Sequence, residues 1–240
     1  MKYDIKISLP LYKVLYGLAF MIIIVFVRGI SSASEIVAAL EPNLALLAGV
    51  FMSDNYYTEY RSGRIQVFYR YPLRKKYISV VGRCLVNWVY LLLLVIMAYG
   101  GFICIYRPMN FTSTSDVTLF INTILVSGIS ALFMGSMAFT ITNFTQSIGA
   151  GISIMFFIWG CLSSKVATFL PKFLQLFLLE EPNSQPGALV PYYLSRVVYL
   201  FIAIALLISN IYSLQQQPKY KRKGRVLKIV NHNRRFKYGI

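Results

Sequence analysis

Residues 117–164 read VTLFINTILVSGISALFMGSMAFTITNFTQSIGAGISIMFFIWGCLSS and contain no Lys, Arg, Asp or Glu. At a helical rise of about 1.5 Å per residue, this stretch would run roughly 72 Å, more than twice the hydrocarbon thickness of about 30 Å. It must therefore cross a bilayer, turn and cross again. Its most polar point is 142–147, which predicts two spans at about 117–140 and 147–168.

Four more apolar segments flank this stretch and predict further spans at about 10–30, 42–60, 84–106 and 197–213. The second is the weakest, because only Pro42–Ser53 is free of charge and Asp54 and Glu59 fall in its last turns. Asp4 and Arg28 favour a retained first helix over a cleaved signal peptide. The sequence predicts an all-α polytopic membrane protein, with six transmembrane helices in residues 1–213 and a basic tail in residues 214–240.

The charge distribution predicts the orientation of these spans. The chain carries 24 Lys and Arg against 8 Asp and Glu, a net charge of +16, and only 13% of its residues are charged. With both termini cytoplasmic, 19 of the 24 basic residues fall on the inner side. The other five are Arg28, Arg107, Lys165, Lys172 and Arg196. This asymmetry follows the positive-inside rule, so the basic residues indicate membrane orientation rather than nucleic-acid binding.

The sequence lacks the residues that several kinds of chemistry require. The three cysteines lie in or beside apolar runs without CxxC spacing, which indicates small buried side chains rather than metal or disulfide chemistry. His232 is the only histidine and lies in the basic tail, so histidine-based catalysis within the membrane is excluded. The chain has no GxxxxGK[ST] phosphate loop, so we expect no ATP hydrolysis and no cofactor in this chain.

The longest predicted cytoplasmic loop between spans carries the most distinctive pattern. Residues 54–83 read DNYYTEYRSGRIQVFYRYPLRKKYISVVGR. Gly63 permits a sharp turn after span two, and Ile65, Val67 and Phe68 share a face if the next stretch is helical. Pro72 would end that helix, and the basic triplet 74–76 would anchor span three at lipid headgroups. A short amphipathic helix along the cytoplasmic face suits docking against a soluble subunit.

This layout resembles the integral-membrane permease subunit of type-2 ABC exporters (the ABC-2, or type V exporter, fold). Members of that family have six spans, cytoplasmic termini, a cytoplasmic coupling helix between spans two and three, and short outer helices between spans five and six. Their loop pattern is similar to Glu-x-x-x-Gly, an apolar stretch, and Pro with basic residues. Glu59, Gly63, Pro72 and Arg74 match it. A short span two with Glu41-Pro42 at its outer end and a long basic tail depart from the family layout.

The resemblance implies the permease half of an ATP-driven export pump in a cell membrane, which we expect to be bacterial. An ATP-binding cassette subunit, carrying ATP and Mg²⁺, would dock on the loop, and a second identical or different permease chain would complete the translocation path. The expected cargo is amphipathic: a peptide, lipopeptide, peptide antibiotic or lipid-linked molecule. The residues predicted to couple to the ATPase are Glu59, Arg61, Gly63, Arg64, Phe68, Pro72 and Arg74.

Three other segments carry separate expectations. In the tail, a membrane-surface segment is expected to bind anionic lipid, with a disordered topology signal and an ATPase contact as alternatives; its basic residues are Lys221, Arg222, Lys223, Arg225, Arg234 and Arg235. Residues 171–181 predict a short helix in the outer interface. Glu35 and Glu41 are interpreted as exposed loop acids near the outer face, with a substrate-facing role towards a cationic peptide as the alternative. Arg196 is interpreted as a lipid-phosphate ligand or a snorkelling side chain.

Two other functional classes stay open at this stage. The substrate-capturing subunit of a vitamin importer also has six spans and a separate ATPase, but it needs a polar pocket near the outer face and no long loop between spans two and three. An intramembrane enzyme needs a Ser–His pair, a His/Glu metal site or a cluster of aspartates within its spans, and the spans lack these sets. The permease class fits the residues best.

Overall fold

The computed structural model describes residues 2–27, 33–55, 57, 71–106, 114–177 and 189–216 of the 240. Within these ranges the chain is helical and forms no strand. The α-helices are α1 (Lys2–Ser8), α2 (Leu11–Val27), α3 (Ala33–Ser53), α4 (Leu73–Tyr106), α5 (Thr114–Thr145), α6 (Ile148–Ser163) and α7 (Leu189–Gln216). Two 3₁₀ turns, Lys165–Phe169 and Lys172–Leu174, follow α6. The prediction of an all-α protein is confirmed.

Four of these helices are long and apolar enough to cross a bilayer, namely those containing Glu35–Ser53, Leu73–Cys104, Val117–Thr145 and Tyr193–Asn210. Helices α2 and α6 are also apolar but have only 17 and 16 residues. At about 1.5 Å per residue, α6 is roughly 24 Å long, somewhat less than a hydrocarbon core of about 30 Å. The described residues therefore make up an apolar helical bundle compatible with a membrane location.

Side-chain pairs show that successive apolar helices alternate in direction. The Lys13 ammonium, early in α2, reaches Asp54 just beyond the end of α3. The Asn87 amide, in the first half of α4, reaches the Phe51 carbonyl near the end of α3. The Trp88 indole donates to the Gly128 carbonyl in α5, while Tyr99, further along α4, packs against Phe120, which precedes Gly128.

The remaining helices continue the alternation. The indole N–H of Trp159, late in α6, donates to the Pro42 carbonyl in the first half of α3. Phe133 and Asn143 of α5 contact Tyr199 and Asn210 of α7 in the same order along both helices, so α5 and α7 are parallel. In the described part of the chain, the six apolar helices α2 to α7 therefore alternate in direction.

Helix α3 lies at the centre of the bundle. Its interface with α5 is the most extensive in the structure, and it also packs against α2, α4 and α6. Residues on several sides of α3, including Ala39, Leu44, Ala45 and Ala48, are 0–1% exposed. A helix surrounded by other helices has no need of a lipid-facing surface, which explains why α3 tolerates Glu41, whereas Glu35 at the start of the helix is exposed.

Several predicted boundaries differ from the structure, including the start of span three, because α4 begins at Leu73 rather than near residue 84, and one boundary is confirmed. The long uncharged stretch breaks at Gln146, whose φ of 53° ends α5, and Ser147 caps α6 through Ala150 N–H, as the polar segment predicted. Span two begins earlier than predicted, because α3 starts at Ala33 and ends at Ser53 rather than near residue 60. The helix predicted from residue 171 is wrong over 171–177, where the chain makes a 3₁₀ turn instead.

The physical reason for this last difference is a pair of hydrogen bonds to the bundle. The Leu174 carbonyl accepts from the Tyr199 hydroxyl, and the Leu176 carbonyl accepts from the Arg196 guanidinium. Leu176 is fully buried. Because these two carbonyls accept hydrogen bonds from side chains of α7, they do not point along a helix axis towards N–H groups four residues on. This part of the segment therefore packs into the bundle instead of forming an α-helix.

Candidate functional site

The end of the bundle where α3 stops and α4 begins is named the loop end, because residues 58–70 connect these helices there. A group of polar side chains lies between α2, α3 and α4 at this end. It consists of Lys13, Asp54, Asn55, Arg83 and Asn87, and we call it the stem cluster. Except for Asp54, each of these residues is at most 5% exposed.

Lys13 connects α2 to the end of α3. Its ammonium nitrogen lies 2.6 Å from Asp54 Oδ1 and 3.0 Å from the Phe51 carbonyl oxygen. The same nitrogen is 5.5 Å from the centre of the Phe51 ring. The C-terminus of a helix carries partial negative charge, so a carboxylate such as that of Asp54 is unfavourable there. The Lys13 cation offsets both the carboxylate and the open carbonyl of the last turn.

Asparagine and arginine side chains connect α4 to the same end of α3. The Asn87 amide donates to Asn55 Oδ1 at 2.8 Å and to the Phe51 carbonyl at 3.2 Å. The Arg83 guanidinium donates to the Asn55 carbonyl at 3.2 Å. The Phe51 carbonyl thus receives donors from both α2 and α4. The stem cluster therefore fixes three helices to one another at the base of the 58–70 loop.

The predicted coupling residues divide into two groups. Glu59, Arg61, Gly63, Arg64 and Phe68 lie outside the described residues. Pro72 and Arg74 lie at the start of α4, where both are exposed. The basic tail residues (Lys221, Arg222, Lys223, Arg225, Arg234 and Arg235) also lie outside the described residues.

A second polar group lies inside the bundle, away from the loop end. Glu41 of α3 and Arg196 of α7 form a two-pronged ion pair, with Nη1–Oε1 at 2.8 Å and Nη2–Oε2 at 3.1 Å. The Ser130 hydroxyl of α5 donates to Glu41 Oε1 at 2.6 Å. Arg196 also donates to the Leu176 carbonyl. We call Glu41, Ser130 and Arg196 the buried ion-pair cluster.

The burial of this cluster corrects the interpretation of both charged residues. Glu41 is 6% exposed and Arg196 is 2% exposed. Glu41 is therefore not an exposed loop acid, and Arg196 does not snorkel to a headgroup. The reason is mutual: each supplies the opposite charge that the other needs in an apolar interior. Their sequence signal was the placement of one acid and one base inside or beside predicted spans, where charged residues are usually paired.

A third polar group joins α5 to α7 nearer the loop end. The Asn143 amide donates to Asn210 Oδ1 at 2.7 Å, and the Asn210 amide donates to Thr140 Oγ1 at 2.7 Å. All three side chains are buried. Lipid tails are as apolar as aliphatic side chains, so apolar surface alone gives a helix little preference for another helix over lipid. Hydrogen bonds between helices, such as these, supply that preference. This group is about 20 Å along α5 from Ser130 at the usual helical rise.

The described residues contain no group of three or more His, Cys, Asp or Glu side chains that could hold a metal ion. Cys84 is buried, and its sulfur accepts a hydrogen bond from the Asn55 amide at 3.4 Å. It thus belongs to the packing of the stem cluster. The chemistry of the described part of the chain is that of charge pairs and amides that hold helices together.

Charged and amide side chains thus hold α3 and α4 together next to the segment that connects them. Further from that segment, a buried ion pair joins α3 to α7, and Ser130 of α5 donates a hydrogen bond to it. Comparison of the chain with family models, with curated proteins and with solved structures found no match.

Proposed function

We propose that this protein is the membrane-spanning permease subunit of an ATP-driven exporter of the ABC-2 type. Six apolar helices that alternate in direction, four of them long enough to cross a bilayer, support this function. The pattern of Glu59, Gly63, Pro72 and Arg74 in the loop between α3 and α4 supports it as well. With the six helices as spans, the positive-inside rule puts the loop end at the cytoplasmic face.

The stem cluster is the observation on which the proposal depends most. A loop that passes force from a soluble motor to membrane helices needs a base that does not bend. Lys13, Asp54, Asn55, Arg83 and Asn87 form such a base, since they join α2 and α4 to the end of α3 just before the loop.

The remaining parts of the proposal concern partners and cargo. An ATP-binding cassette subunit binds the loop and supplies ATP hydrolysis, while a second permease chain completes the path. The cargo is an amphipathic peptide, lipopeptide, peptide antibiotic or lipid-linked molecule, which suits a path formed by predominantly apolar helices. The location is the plasma membrane with both termini in the cytoplasm.

The experiment that tests this function uses two loop variants and two matched controls in membranes that also contain a co-expressed ATP-binding cassette protein as the candidate partner. Glu59→Lys and Gly63→Trp change the loop. Glu35→Lys and Gly100→Trp make the same exchanges elsewhere: Glu35 is exposed at the start of α3, and a Cβ atom at Gly100 would have no neighbouring heavy atom within 4 Å.

We expect both loop variants to insert normally but to lose the association with the ATPase and the cargo-stimulated ATP hydrolysis, whereas both controls keep them. The readouts are co-purification of the two subunits and the rate of phosphate release. Wild-type association and stimulation in both loop variants would contradict the docking role of the loop.

A further inference from the structure

The turn of α3 at Glu41 and Pro42 contacts more of the bundle than any single polar position at the loop end. Glu41 binds Arg196 of α7 and the Ser130 hydroxyl of α5. The Pro42 carbonyl accepts the indole N–H of Trp159 from α6 at 2.8 Å. Through Arg196 and the Leu176 carbonyl, the same turn is linked to the segment after α6.

This turn is also where α3 has the fewest helical bonds of its own. Pro42 has no N–H, so the Ala38 carbonyl lacks its usual partner four residues on, and a proline inside a helix favours a bend. Arg196, Ser130 and Trp159, from three other helices, thus contact α3 at the turn where its own hydrogen bonding is interrupted by Pro42. Release of those side chains would let the first two turns of α3 move independently of the rest.

We infer that the Glu41–Arg196 ion pair is a latch that closes the half of the bundle opposite the loop end. When the pair is intact, α3, α5, α7 and the residue 170–177 segment are held together. When it parts, the end of α3 before Pro42 and the start of α7 separate and admit water. This inference rests on the proposed function, in which that half is the outer part of the translocation path.

A charge pair suits a latch better than apolar packing does. The two charges stabilise each other strongly at contact distance in an apolar interior, and each is readily solvated once water enters. The pair therefore favours two distinct states, dry and closed or wet and open, over intermediate separations. Discrete arrangements of this kind are what a switching element requires.

The test measures water access on α5, in a background where Cys84, Cys104 and Cys161 are replaced by Ala. Ser127→Cys places a thiol one turn from Ser130 and further from the loop end, at a fully buried position. Ser136→Cys is the matched control, because Ser136 is equally buried on the same helix but nearer the loop end. Both exchanges replace a hydroxyl with a thiol and leave the size nearly unchanged.

The latch is removed by Glu41→Gln together with Arg196→Gln, a double variant that leaves no lone buried charge and is therefore expected to fold. The reagent is a charged, water-soluble methanethiosulfonate applied to the purified chain without any ATPase. We expect labelling at position 127 to become about tenfold faster or more, because loss of a charge-assisted bond shifts a two-state equilibrium by at least that factor. Labelling at position 136 should not change.

Equal labelling rates at position 127 with and without the pair, in protein that remains monodisperse, would overturn the latch. Equally faster labelling at positions 127 and 136 would also overturn it, because the pair would then hold the whole bundle rather than one half. Neither result depends on an ATPase. A failed latch is thus distinguishable from a failed docking experiment, which is read from subunit association.

Discussion

The positive charges of Lys13 and Arg196 are compensated by the same two kinds of partner. Each carries a positive charge into an apolar bundle, and each has both a carboxylate and a backbone carbonyl within reach. The carboxylate neutralises the charge, and the carbonyl takes a further N–H donor that would otherwise be left without water. Removal of one partner from such a site leaves the other buried without its counter-charge, which is far more costly than replacing both.

At this scale we predict that Lys13→Met destabilises the protein by about 1.5–3 kcal/mol, the usual contribution of hydrogen bonds from a charged group. The variant keeps the apolar stem of the side chain but loses the bonds to Asp54 and the Phe51 carbonyl. Unfolding in mild detergent, followed by tryptophan fluorescence, measures the change. Lys6→Met is the control, because Lys6 is exposed on α1. Equal stability of the two variants would contradict the role of Lys13.

Among the elements, α5 and α6 form the tightest hairpin. The two helices are separated only by Gln146 and Ser147, and α6 lies against α5 where Gly151 faces Thr142. A Cβ atom on Gly151 would overlap Thr142 Oγ1 and lie 3.1 Å from the Ala138 carbonyl oxygen. Small residues allow transmembrane helices to approach this closely. The hairpin therefore depends on the absence of a side chain at position 151.

We predict that Gly151→Leu forces α5 and α6 apart and costs about 1–3 kcal/mol, the range for overpacking a filled interface. Gly160→Leu on the same helix is the matched control, because a Cβ atom there would have no neighbouring heavy atom within 4 Å. The measurement is the thermal unfolding midpoint of each variant in detergent. A midpoint for Gly151→Leu that equals that of Gly160→Leu would show that the hairpin tolerates a side chain at this interface.

The elements also show what the sequence could and could not predict. Uncharged runs locate helices that face lipid on one side, so α4, α5 and α7 and the break at residue 146 were predictable. Helix α3 was misplaced because it is covered on most sides and bears Glu35 and Glu41, which made its first turns read as an outer loop. The partner of Glu41 lies 155 residues further along the chain. No local pattern could have identified that pairing.

For the whole molecule, the alternating directions of α2 to α7 relate the ends of the bundle to the two faces of a membrane. The loop end contains the starts of α2 and α4 and the end of α3, and among the described residues Lys13, Arg74, Lys75, Lys76 and Arg83 lie in these parts of the helices. The opposite end contains the buried ion-pair cluster and the segment with Phe169, which is 90% exposed. The two ends therefore differ in the charged residues that they contain.

We predict that both termini are cytoplasmic and that residues near 110 are external. A fluorescent protein fused after Ile240 should fold and fluoresce in a bacterial host, while alkaline phosphatase fused after residue 110 should be active, since it matures only outside the cytoplasm. The reverse pair of fusions serves as the control. An active phosphatase after Ile240 would contradict the orientation that the positive-inside rule gives.

The central claim is that the loop between α3 and α4 is the contact for a separate ATPase. Its most direct test replaces Phe68 with a photoreactive phenylalanine analogue in intact membranes that contain a co-expressed candidate ATP-binding cassette protein. The same replacement at Phe169 is the control at the opposite end. We predict a covalent adduct with the ATPase from position 68 and none from position 169. The claim is contradicted if position 68 gives no adduct with the ATPase, or if position 169 gives the same adduct.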